Sequence, residues 1–114
     1  MKTHYLRLTA RPFAAITTGK KTIETRLFDE KRQKIAVGDR IVFHNTEDTS
    51  QTITVLVTGL YKHATFRELF SSHKPEEFGG ASVEQLIDQI YTFYSKEDEI
   101  KYGVVGIEIK IEQF

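Results

Sequence analysis

The chain contains no cysteine, which excludes disulfides, thiol nucleophiles and cysteine-based metal centres. A reducing compartment, the cytoplasm, is the expected setting for such a composition. Net charge is absent too, since sixteen Lys and Arg balance sixteen Asp and Glu. No apolar run approaches the roughly 18 residues that a membrane span requires, and the N-terminus lacks the apolar stretch of a signal peptide. There is no Gly-x-Ser-x-Gly elbow, phosphate-binding loop or dinucleotide fingerprint, which removes the common serine-hydrolase, nucleotidase and dehydrogenase readings. The histidines His4, His44, His63 and His73 show no i,i+3 or i,i+4 ligand spacing, so no metal and no other cofactor is expected.

What is present describes an ordinary globular chain. Its 114 residues, 39% apolar and 28% charged, suit one domain spanning 1–114 with a single core. The zero net charge hides an asymmetry. Residues 1–44 hold ten Lys or Arg against four Asp or Glu, and residues 45–114 hold six against twelve, giving +6 and −6. That split suggests a basic patch built from the first third of the chain and suited to an anion, unless the compact fold mixes the two groups.

Strands are expected at both ends with helices between. His4 to Leu8 reads as a short strand, with His4 able to face a cleft. Pro12 suits the first position of a helix that carries Phe13 and Ile16 on one face and stops at Gly19. Thr22 to Phe28, Asp39 to His44 and Ile53 to Leu60 follow as strands. Thr65 with Glu68 and Ser82 with Gln85 mark two helix starts, the second opening an apolar stripe of Val83, Leu86, Ile87, Ile90 and Tyr94. Val105, Ile107, Ile109 and Ile111 alternate with smaller or charged residues as a closing strand. The irregular stretch from His73 to Ala81 is the kind of loop that rims a site. Together these elements predict an α+β domain on a small, mostly antiparallel barrel with two or three helices.

The candidate site lies in the first half, in Gly19-Lys20-Lys21-Thr22-Ile23-Glu24-Thr25-Arg26. Glu24 and Arg26, two apart on a strand, share a face, so the carboxylate can orient the guanidinium for bidentate anion recognition. An ordinary structural ion pair closing the barrel would place them the same way. A lysine sharing their cleft is held charged by the carboxylate and pushed toward neutrality by the arginine. Protonated, Lys21 is a ligand for phosphate or carbonyl oxygen; deprotonated, it is a base or nucleophile. Lys21, Glu24 and Arg26 are therefore expected to converge on one solvent-accessible cleft. Lys20 and Arg32 would add positive charge, and Phe78 in the loop could stack on a flat ligand.

Gly19-x-Lys21-x-x-Glu24-x-Arg26 resembles the signature of the ASCH domain, a family related to PUA RNA-binding domains. The likeness continues through Pro12-Phe13-x-x-Ile16, Asp29-Glu30-Lys31-Arg32, Val37-Gly38-Asp39 and Tyr102-Gly103-Val104-Val105-Gly106-Ile107. The resemblance implies a PUA-like β-barrel whose cleft takes RNA, a nucleotide or a modified nucleoside, with Glu24 meeting a base-edge donor. It also implies an alternative, because some small members similar to this one are amidohydrolases acting on acetylcytidine through a lysine, a threonine and a glutamate. Lys21 matches the lysine, Glu24 stands at the threonine position, and Glu76, or else Glu77, falls nearest the glutamate. A ribonuclease activity is attributed to other members. Two functions follow from this likeness, an RNA- or nucleotide-binding module and a small hydrolase using Lys21 with Glu24 or Glu76.

Overall fold

Five strands form one curled sheet in the computed structural model, which describes residues 1–112; the last two positions of the expected 1–114 domain lie outside the described residues. The strands are β1 (Thr3–Leu8), β2 (Ile23–Leu27), β3 (Arg40–Asn45), β4 (Asp48–His63) and β5 (Val104–Ile111). Their order is β1-β3-β4-β5-β2, with β1 and β3 parallel and the other pairs antiparallel. β4 spans 16 residues and pairs with β3 through its first half and with β5 through the rest, so this long strand carries the curl. The ladder slips between Val57 and Gly59, a bulge of the type that bends a strand.

The sheet is half-barrel-like and its ladder does not close, which corrects the expected barrel. β1 and β2 end the strand order, and side chains bridge the seam between them. Arg26 NH2 donates to Arg7 O at 2.7 Å, and Lys31 Nζ donates to Tyr5 O at 2.9 Å. Two cations thus occupy carbonyls that an unpaired edge would offer to another chain.

Among the described residues helices number five: α1 (Ala10–Thr17), α2 (Glu30–Gln33), α3 (Phe66–Ser71), α4 (Val83–Ile90) and α5 (Lys96–Tyr102), with a 3-10 turn at Pro75–Phe78. The expected two or three omitted α2 and α5, which have four and seven residues and too few apolar positions to show a stripe. Both start at side-chain caps, Asp29 accepting from Arg32 N and Ser95 from Asp98 N. α1 begins two residues before Pro12 and ends at Thr17, capped by Thr18; Gly19 follows, and its φ of 77° permits the reversal that brings Lys21 N–H to Ala15 O at 3.0 Å.

Two apolar clusters flank the sheet. Leu6, Leu8, Phe13, Ile16, Ile41, Phe43, Val105 and Ile107 fill the curl, whereas Ile23, Leu27, Phe66, Leu69, Phe70, Phe78 and Leu86 bind the helices to the outside of β2 and β5. Gly106 lets α3 approach, since a Cβ there would lie 2.9 Å from Leu69 Cδ1. His4 does not face a cleft. Its Nε2 lies 2.8 Å from Asp39 Oδ2, and Asp39 also accepts from Lys2 N and Ala36 N, tying β1 to the start of β3. The His4 hydrogen bond, then those two amides, hold the Asp39 carboxyl well below the usual carboxylate range.

Candidate functional site

The expected trio meets in space. Glu24 lies 2.7 Å from Lys21 Nζ through one oxygen and 2.7 Å from Arg26 Nε through the other. Lys21 reaches it from the α1–β2 turn. Glu24 and Arg26 stand two apart on β2, opposite Ile107 and Val105, so both point into the curl rather than outward. Glu24 is accordingly 3% exposed. Burial pushes its carboxyl up, but the charges and hydrogen bonds of Lys21 and Arg26 outweigh this and hold it at about 2. Burial likewise disfavours the Arg26 cation, and Glu24 more than compensates.

The two cations open on different spaces, which corrects the single shared cleft. Lys21 lines a largely apolar pocket of about 580 Å³ with Ile16, Leu56, Ile109 and Ile111. Arg26 lines one of about 880 Å³ at the seam between β1 and β2, together with Tyr5, Arg7, Lys31, Arg32 and His44, and no carboxylate lines it. Four of the ten cations of residues 1–44 are therefore gathered here. Arg26 is locked by Glu24 at Nε and by Arg7 O at NH2, leaving NH1 uncommitted among the described residues. A guanidinium fixed at two corners with its third free is prepared for an oxygen ligand at little entropic cost. The Tyr94 phenol is held above its ordinary value chiefly by burial, and is near enough to feel Arg26 and Glu24 with opposite sign.

The remaining candidates are dispersed. Arg32 lines the seam pocket and bonds Asp29 at 3.3 Å, while Lys20 is exposed on the turn before β2. Glu76 is exposed, and its carboxylate makes no hydrogen bond or ion pair among the described residues. Glu77 holds Lys74 N at 3.0 Å. Phe78 is no stacking platform, because the loop winds into a 3-10 turn that drives its ring into the core, edge-on to Phe70 at 5.0 Å and to His73 at 5.9 Å. The sequence reading missed Tyr5, Arg7 and His44. Alternation along β1, with Leu6 and Leu8 inward, already put Tyr5 and Arg7 on the outer face; only the parallel β1–β3 pairing, which sets Arg7 beside His44, brings in the histidine. Among the described residues no cluster of three or more His, Asp or Glu could hold a metal ion, and no helix is long and apolar enough to cross a membrane.

The profile of the ASCH domain matches residues 6–113, nearly the whole chain. This protein belongs to the ASCH domain family. It resembles the hypothetical protein PH0355, known from a crystal structure, at 36% identity and a TM-score of 0.85 over 98% of this chain and 100% of that one. It also resembles protein PF0455 from Pyrococcus furiosus, solved in solution, at 34% identity and a TM-score of 0.76 with both chains fully covered. A variant of ZmASCH from Zymomonas mobilis shares the fold at 18% identity and a TM-score of 0.59, over 93% of this chain and 66% of that one. No curated protein matches the chain. Membership links this ASCH domain to the PUA-like, nucleic-acid-associated domains.

Proposed function

We propose that this ASCH domain binds RNA or a nucleotide through the charged trio of its signature. The observation that carries the reading is the pinned Arg26, fixed by Glu24 and by Arg7 O and facing a pocket lined by cations without a carboxylate. Such a group recognises phosphate oxygens by charge-assisted hydrogen bonds. Glu24 acts as the positioning residue. Being buried and engaged at both oxygens, it orients the two cations rather than meeting a base edge itself.

The hydrolase reading finds no comparable support. A carboxyl held at about 2 does not take up protons near neutral pH, and Lys21 Nζ is committed to it as an ion-pair partner. Glu76 stands in solvent without a bond to either residue.

Anisotropy titrations of labelled single-stranded RNAs and nucleotides at two salt concentrations test the proposal. Affinity should fall as salt rises, with a log–log slope of about −0.7 for each phosphate contacted. Lys21→Arg should retain most of the affinity, since the charge is kept. No binding to any member of such a panel at low salt removes the reading, and salt-independent binding replaces it with an uncharged nucleoside.

A further inference from the structure

Tyr5 is 59% exposed; Tyr5 and Phe93 are the two aromatic side chains this open to solvent among the described residues. Phe93 lines neither pocket, whereas Tyr5 lines the seam pocket, its ring 6.1 Å from that of His44 and tilted by 34°. Cations surround it. Lys31 Nζ is anchored on the Tyr5 carbonyl at 2.9 Å, and Arg7 lies two residues along the same face of β1. Neither Arg7 nor Lys31 has a carboxylate within 4.0 Å among the described residues. Arg32 is paired with Asp29 through NH1 at 3.3 Å, and its Nε is buried without a hydrogen-bond partner. Arg7 and Lys31, sharing the pocket without a counter-charge of their own, repel one another, and an anion placed between them relieves that repulsion. Arg26 and Lys31 have a structural task at the seam; the Arg7 side chain bonds nothing among the described residues and has no such explanation.

We infer that the pocket between β1, α2 and the turn joining β3 to β4 is a binding site for single-stranded RNA. One base stacks on Tyr5 beside His44, while Arg7, Lys31 and Arg32 hold the adjoining phosphates. This rests on the RNA-binding reading above and extends its site from Arg26 to residues outside the signature that line the same pocket. A flat exposed ring next to unneutralised cations matches a ligand that alternates aromatic faces with phosphates. A duplex does not fit, because its bases are stacked on one another and have no free face to offer. A bare phosphate would leave Tyr5 without a role.

The test is anisotropy binding of a labelled single strand of about ten nucleotides, within the usual range for one small domain. Tyr5→Ala should weaken binding about 5- to 150-fold, and Tyr5→Phe should restore it. Arg7→Ala should reduce the salt slope by about 0.7, and Lys110→Ala, on the other pocket, should change neither quantity. Excess inorganic phosphate should compete far less well than unlabelled strand. If the unaltered protein binds RNA but Tyr5→Ala and Arg7→Ala bind equally well, the pocket is wrong and the RNA reading survives. If it binds no single strand at low salt, both fail. Equal losses from Lys110→Ala, or equal affinity for a duplex, would reduce the site to diffuse electrostatic attraction and overturn it.

Discussion

Replacing Glu24 by glutamine keeps the shape of the side chain and removes one buried negative charge between two cations. The carboxyl drops from its ordinary 4.5 to about 2 in the folded protein, which corresponds to about 3 kcal/mol of native-state preference for the charged form. An independent expectation agrees: stranding a buried charge by deleting its partner costs about 3–5 kcal/mol. Against a total stability of about 5–15 kcal/mol, Glu24→Gln should lower the melting temperature by about 10–20 °C at pH 7. The sign of the pH dependence follows from the lowered value. Stability from Glu24 is fully present above about 4.5 and is lost as the pH falls toward about 2. The gap between the two proteins should therefore shrink to about half or less by pH 3. Urea unfolding of both proteins at pH 7 and pH 3 measures this. Midpoints that coincide at pH 7, or a gap that persists unchanged at pH 3, would show that the trio does not hold the domain together as its geometry requires.

Three other perturbations have definite outcomes. Gly106→Ala should destabilise the domain by about 1–3 kcal/mol in urea, because its methyl group meets Leu69 and Ile23 where α3 lies against the sheet; an unchanged midpoint would mean that α3 yields freely. Glu99 is buried and accepts from Phe66 N and from Tyr91 Oη, both at 2.7 Å. Burial first, and then that bond, push the Tyr91 phenol up to about 12, so Glu99→Gln should bring its ultraviolet titration down toward 10; a titration that does not move would assign the whole effect to burial. Incubated with acetylcytidine, the protein should release little acetate by chromatography, since Glu24 presents a buried, ion-paired carboxylate where the hydrolases have a hydroxyl; rapid release would restore the enzymatic reading.

The sequence carried the information that is local. Alternation located all five strands to within a few residues except β4, whose polar first residues, Asp48 to Thr52, have no apolar face to mark them. Side-chain caps at Thr65 and Ser82 located α3 and α4, and the glycine stop placed Lys21 at the entry to β2. The pairing of Glu24 with Arg26 was legible because residues two apart on a strand must share a face. Which face that is was not legible. A strand of Ile, Glu, Thr, Arg and Leu can turn its charges to solvent as easily as inward, and the choice belongs to the register with β5 and to the curl of β4.

The same holds for the pocket. Arg7, Arg26, Lys31 and Arg32 lie on three separate segments, and Tyr5 stands near His44 only because β1 pairs in parallel with a strand some 35 positions later. Phe78 failed as a stacking residue for the converse reason, since one 3-10 turn decides whether a loop aromatic points out or in. The chain by itself determined its family, its strands and the composition of the signature, all of which depend on neighbours in sequence. Only the tertiary structure decided that the trio is a buried ion pair network and that the exposed cations meet at an open seam, because burial and charge proximity are set by contacts between residues far apart along the chain.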